Sequence, residues 1–136
     1  MSGKPDLFTI GYEASTLPAV LASLKSAGVD LLIDVRAVAA SRKPGFSKKL
    51  LAASLGEAGI RYLHLQALGT PKPGRDAARA GRVGEMHRIF RAHMAADRPQ
   101  AELAQAKAAA NGSRACLLCF ELDHRACHRS LVAEMI

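Results

Sequence analysis

The densest chemistry in the chain is one stretch near its end, where Cys119, Glu121, Asp123, His124, Cys127, His128 and Arg129 fall within eleven residues. A thiolate can attack an electrophile, a carboxylate or imidazole can move a proton, and a guanidinium can hold an anion. The run Cys127-His128-Arg129 places a thiol beside two cationic side chains. If it lies in the first turns of a helix, the dipole and those neighbours favour the thiolate and lower the thiol pKa. Equally, Cys127 sits one turn before Leu131 and fits a core-facing helix residue. His128 and Arg129 either bind an anion or pair with Glu121 and Asp123 and tie two elements together. Upstream, Asp34 and Arg36 flank Val35. Such a pair either orients a polar substrate or closes a sheet as a structural ion pair.

Other arrangements of the same residues are less apt. Alternation along a strand sends Cys116 and Cys119 to opposite faces, so Cys116-x-x-Cys119 does not make a metal knuckle. Cys119, His124, Cys127 and His128 are acceptable zinc ligands but lack a second paired spacing, so no metal is assigned. No motif implies a cofactor. Cys119 followed by Arg125 has the spacing of a thiol-phosphatase loop. The residues between include Glu121 and Asp123 and no glycine, so that loop would repel a phosphate.

These residues need a frame, and the hydrophobic pattern supplies one. Leu7 to Tyr12 is a short β-prone run; Ser15 is placed to cap a helix from Leu17 to Ala27 that stops at Gly28. Asp30 to Val35 reads as a strand buried on both faces. A basic loop, Ala39 to Phe46, leads to Ser47 as the cap of a second helix through Ala58, closed by Gly59, and then to a strand from Ile60 to Leu65. Leu68 to Gly84 carries four glycines and two prolines and reads as a long excursion, a flexible loop or lid. Helical patterning returns over 85–96 and 100–110, Arg114 to Phe120 is a fourth strand, and Asp123 caps a last helix running to Ile136.

Strands alternating with helices predict an α/β fold: a small three-layer domain over 1–136, its mainly parallel four-stranded sheet covered by helices on both faces. In that architecture ligands gather at the carboxyl ends of the strands, beside a reversal of strand order. Tyr12, Asp34, Arg36, Arg42, Cys119, Glu121 and the Cys127 to Arg129 run all follow strand ends.

The 136 residues are 49% hydrophobic and 23% charged, with a mean hydropathy near zero. That excludes a disordered or fibrous chain. Apolar runs such as Cys116 to Phe120 fall far short of the ~18 residues of a membrane span, and the N-terminus lacks a secretory h-region. A cytoplasmic protein without a membrane partner is expected. Three cysteines, an odd count, fit no disulfide framework. The net charge is +7, concentrated between Arg36 and Arg91, where twelve basic residues face only Glu57, Asp76 and Glu85. Such a field recruits nucleic acid or a phosphorylated small molecule, or it only solubilises the surface. No Trp, two Tyr and four Phe leave little for a base-stacking platform.

Thr9-Ile-Gly-Tyr12, Asp34-Val-Arg36, Ser41-Arg42-Lys-Pro-Gly-Phe46-Ser47-Lys48, Ile60-Arg-Tyr62, Leu68-Gly69-Thr70-Pro71, Cys119-Phe-Glu121 and Cys127-His128-Arg129, in that order, resemble the bacterial family called domain of unknown function 488. The resemblance runs from Thr9 to the end. It implies a single α/β domain and leaves the activity open. The Ile-Asp34-Val-Arg36 strand end is also similar to the opening strand of rhodanese-like sulfurtransferases, although their cysteine loop is missing, and this stays an analogy.

Two functions follow. In the first, the chain is an enzyme with one cleft, where Cys119, Glu121, Cys127 and His128 are catalytic and Tyr12, Asp34, Arg36, Arg42 and Arg129 bind an anionic substrate. In the second, it is a noncatalytic module that binds nucleic acid or phosphorylated ligands through the basic segment 36–91.

Overall fold

The computed structural model describes residues 7–119 and 129–136. Four strands, β1 (Leu7–Gly11), β2 (Leu31–Asp34), β3 (Arg61–His64) and β4 (Ala115–Cys119), form one all-parallel sheet in the order β1-β4-β2-β3. The helices are α1 (Leu17–Ser26), α2 (Lys48–Glu57), α3 (Lys72–Arg79), α4 (Val83–Met94), α5 (Asp97–Asn111) and α6 (Arg129–Met135), with a short 3₁₀ turn at Gln66–Leu68. The expected α/β class and parallel sheet are what the chain adopts.

Burial explains which strands are central. Every residue of β2 and β4 is buried, while β1 and β3 are partly exposed, as a parallel sheet covered on both sides requires of its inner and edge strands. Strand alternation then sorts the core. Leu32, Cys116 and Leu118 meet Val20 and Leu24 of α1 and Leu51 and Leu55 of α2. Leu31, Ile33, Ala115 and Leu117 meet residues of α3 to α6, among them Met86, Phe90, Leu103 and Val132. Cys116 thus faces the α1–α2 side, and alternation turns Cys119 to the other.

The helix stops are as expected. Gly28 and Gly59 follow α1 and α2 with φ of 71° and 76°, a left-handed conformation that costs glycine nothing. The caps differ from expectation. Thr16, not Ser15, caps α1, its Oγ1 accepting from Ala19 N at 3.3 Å. Pro18 at the second helical position has no N–H to offer, so the cap reaches the third. Ser47 occupies the cap position of α2, but its Oγ is used inside the loop, accepting from Ser41 N and donating to Ser41 O, both at 3.1 Å.

The segment read as an irregular excursion contains α3. Pro73 lies in its first turn, where the missing N–H would have had no partner. Gly74 is needed for space, since a Cβ there would come within 2.4 Å of Thr70 Cγ2. Pro99 likewise falls in the first turn of α5, which starts at Asp97 and not at Gln100. Among the described residues no helix is long and apolar enough to cross a membrane.

Candidate functional site

The strand order decides where a site can form. β1 and β2 both run on into helices on one face of the sheet, and β4, inserted between them, is followed by α6 on the other. The chain therefore diverges at the carboxyl end of β4, which is where a crevice opens in such sheets. Gly11 pairs with Cys119 in register, Tyr12 N donates to Cys119 O at 3.3 Å, and Val35 N donates to Leu118 O at 3.2 Å. The backbones of Tyr12, Asp34, Arg36 and Cys119 are thus brought to one end of the sheet, with Cys119 facing the α3–α6 side and Tyr12 and Asp34 the α1–α2 side.

The best-defined part of that end is a buried polar network. Arg36 donates from Nε to Asp34 Oδ1 at 2.8 Å and from Nη2 to Asp34 Oδ2 at 2.7 Å, a two-point ion pair. The main-chain N–H of Arg36 also reaches Asp34 Oδ1, at 3.1 Å, and Tyr62 Oη donates to Oδ2 at 2.6 Å. These four donors use all the lone-pair sites of the carboxylate, which is why Asp34 can be charged at 0% exposure. The guanidinium, at 4% exposure, gives its two Nη1 protons to Tyr12 Oη at 3.0 Å and Phe46 O at 2.7 Å. Its fifth N–H, on Nη2, has no acceptor among the described residues. Burial alone would lower the Arg36 pKa; the Asp34 carboxylate outweighs it and the net shift is upward. Tyr62 is raised as well, by burial first and by its bond to Asp34 second.

Apolar contacts hold the frame around this network. The Tyr12 and Phe46 rings stack 4.2 Å apart at 7°, and the Arg36 guanidinium carbon lies 5.5 Å from the Tyr12 ring centroid. His64 Nε2 donates to Arg36 O at 2.9 Å, and Gln66 Nε2 to Ala37 O at 3.0 Å. Gly69 passes so close to Ala37 that a Cβ would lie 2.2 Å from its main-chain nitrogen. The loops after β2 and β3 are in this way clamped together.

The sequence-derived residues divide into groups. Tyr12, Asp34 and Arg36 share the network. Arg42 is exposed on the β2–α2 loop and takes no part in it. Cys119 ends β4 at 5% exposure, and Cys116, at 2%, lies on the α1–α2 side. Glu121, Cys127 and His128 lie outside the described residues, as does the side chain of Arg129, whose backbone opens α6. Asp123, His124 and Arg125 are likewise outside. Among the described residues no three His, Cys, Asp or Glu side chains meet in a metal-binding group. Sequence reasoning missed the roles of Tyr62 and Phe46. Tyr62 pairs with Leu32 in register, and a polar-tipped ring on the strand beside a buried aspartate was the available signal; a carbonyl acceptor such as Phe46 O has none.

A family model described as domain of unknown function DUF488 matches residues 16–136. The chain belongs to the DUF488 family. Within this family match lie Asp34, Arg36, Arg42 and the whole Cys119 to Arg129 stretch, while Tyr12 precedes it. No curated protein and no solved structure matches the chain. Membership of the DUF488 family by itself names no activity.

Proposed function

We propose that this protein is a small thiol-dependent enzyme of the reducing cytoplasm, acting on an anionic substrate at the carboxyl end of β4. The strand order supports this reading, because it sets Cys119 between the Tyr12 and Asp34–Arg36 strand ends at the divergence of the chain. In this reading Cys119 or Cys127 supplies the thiolate and Glu121 or His128 moves the proton. Arg42, Arg129 and the remaining Nη2 N–H of Arg36 face the anion. Tyr12, Asp34 and Tyr62 position Arg36.

The test is the alkylation rate of each cysteine in the folded protein against pH, read by peptide mass spectrometry with and without a chelator. Cys119 or Cys127 should react well below the ~8.5 of an ordinary thiol, with buried Cys116 as the slow internal control. All three thiols inert until unfolding would refute the proposal, and reaction only after chelation would replace it with a metal site.

One observation favours a second reading, the binding module. In the basic segment, Lys72 and Arg79 pair with Asp76, and Arg82 and Arg88 with Glu85. Arg42, Lys48 and Lys49 are exposed without an ion-pair partner among the described residues. This reading requires affinity for a polyanion that falls steeply with salt whatever is done to the cysteines.

A further inference from the structure

The sheet has two edge strands, β1 and β3, and they meet solvent differently. An edge presents main-chain N–H and C=O groups that can pair with another chain, and charged side chains are a usual guard against it. β3 opens on the exposed Arg61. β1, Leu-Phe-Thr-Ile-Gly, has neither a charged residue nor a proline, and residues 7–24 contain no Lys or Arg at all.

The ladder fixes which groups of β1 point outward. Tyr12 N donates to Cys119 O at 3.3 Å, with Gly11 in register with Cys119. Main-chain polar groups of alternate residues point the same way along a strand, so Phe8, Ile10 and Tyr12 direct theirs to β4 and Leu7, Thr9 and Gly11 direct theirs away from it. Those of Leu7 and Thr9 have no hydrogen-bond partner among the described residues. Gly11 is buried, whereas Thr9 is exposed. The other side chains of the strand are only half-buried, Leu7 against the core that includes α6 and Phe8 and Ile10 against the core that includes α1.

Charge selects the occupant. The basic field lies over residues 36–91, which include β3 at the opposite edge. Two copies that each carry +7 repel unless they meet on a neutral face, and the β1 edge is neutral. We propose that β1 pairs antiparallel with β1 of a second copy of this chain, about a two-fold axis close to Thr9, so that two four-stranded sheets become one. The two-fold axis makes the edge its own complement. Outward N–H and C=O groups of Leu7 and Thr9 meet their like on the other copy. Phe8 and Ile10 extend their apolar face across the axis on one side and Leu7 on the other. A polyanion, by contrast, gains nothing from an edge without Lys or Arg.

The experiment is sedimentation velocity of the full chain over a concentration series under reducing conditions. A dimer that dissociates at roughly micromolar concentration is expected, the weak end of the range for modest interfaces. Thr9→Lys sets two ammonium groups at the axis and should weaken the dimer at least about tenfold. Because Thr9 is exposed, the melting temperature in dilute solution should stay that of the parent. Thr9→Pro removes an N–H that the single chain does not use, a change that edge strands tolerate, and should also give a folded monomer. Amide exchange by NMR locates the contact: the N–H groups of Leu7 and Thr9 should exchange fast in dilute protein and slowly in concentrated protein, with that of Ile10, directed to β4, slow in both. A parent chain still monomeric at millimolar concentration would overturn the proposal. So would a dimer whose dissociation Thr9→Lys leaves unchanged, a Thr9 amide that stays unprotected in the dimer, or open-ended oligomers in place of a closed pair. None of these readouts depends on a cysteine, so the strand pairing and the thiol site stand or fall separately.

Discussion

Replacing Arg36 with Met removes the two bonds to Asp34 and those to Tyr12 Oη and Phe46 O. The aspartate keeps the phenol of Tyr62 and the main-chain N–H of residue 36, but its charge is left uncompensated at 0% exposure. Breaking one side of a buried pair costs about 3–5 kcal/mol, against a total stability of about 5–15 kcal/mol for a domain of this kind. With a urea slope of about 2 kcal/mol per molar, the unfolding midpoint should fall by roughly 1.5–2.5 M. The chain has no Trp, so far-UV circular dichroism is the probe of choice. The double variant Asp34→Asn/Arg36→Met removes the orphaned charge, and should recover about 1–3 kcal/mol relative to Arg36→Met alone. An unfolding free energy for Arg36→Met within about 0.5 kcal/mol of the parent, or a double variant equal to the sum of the singles, would refute the argument. Either result would mean that the guanidinium is not committed to the fold and is available to a ligand.

Other expectations are simpler. Because burial and Asp34 raise the Tyr62 pKa in the folded state, folding favours the neutral phenol. That contribution is complete below the ordinary tyrosine value of about 10 and is lost as pH rises from there toward the folded value. Unfolding free energy measured from pH 9 to 11 should therefore decline in the parent and decline less in Tyr62→Phe; identical slopes would contradict it. Gly69→Ala should cost about 3 kcal/mol or more, since its Cβ would strike the main chain of Ala37, and denaturant melting checks this. Thr16→Ala should cost about 1 kcal/mol and Ser15→Ala less than about 0.5, because only Thr16 caps α1. Equal losses would put the cap back at Ser15.

Local pattern was enough for much of this protein. The apolar runs Leu31–Ile33 and Ala115–Cys119 announced strands buried on both faces, helical spacing marked α1, α2 and α4, and Gly28 and Gly59 marked two stops, because each signal depends on residues a few positions apart. The helix at Lys72–Arg79 was not legible, since proline and glycine look like breakers until their place in a first turn or against Thr70 is known. Asp34 and Arg36 stood out by spacing alone, but the sequence left open whether they bind or brace. Contacts 10 to 28 residues away, Phe46 O, Tyr12 Oη and Tyr62 Oη, join the pair's own bonds to fill the carboxylate and engage four of the five guanidinium protons, so the pair braces the fold whatever else it does. The insertion of β4 between β1 and β2 was likewise beyond any local signal. Each strand reads alike whichever neighbour it hydrogen-bonds, and only the packing of α1 and α2 on one face and α3 to α6 on the other selects the order. The sequence by itself thus determined every strand, the helices other than α3 and the kinds of chemistry they carry. Tertiary packing decided which strand ends meet, and hence that Arg36 is held in a buried network with Asp34, Tyr12 and Phe46.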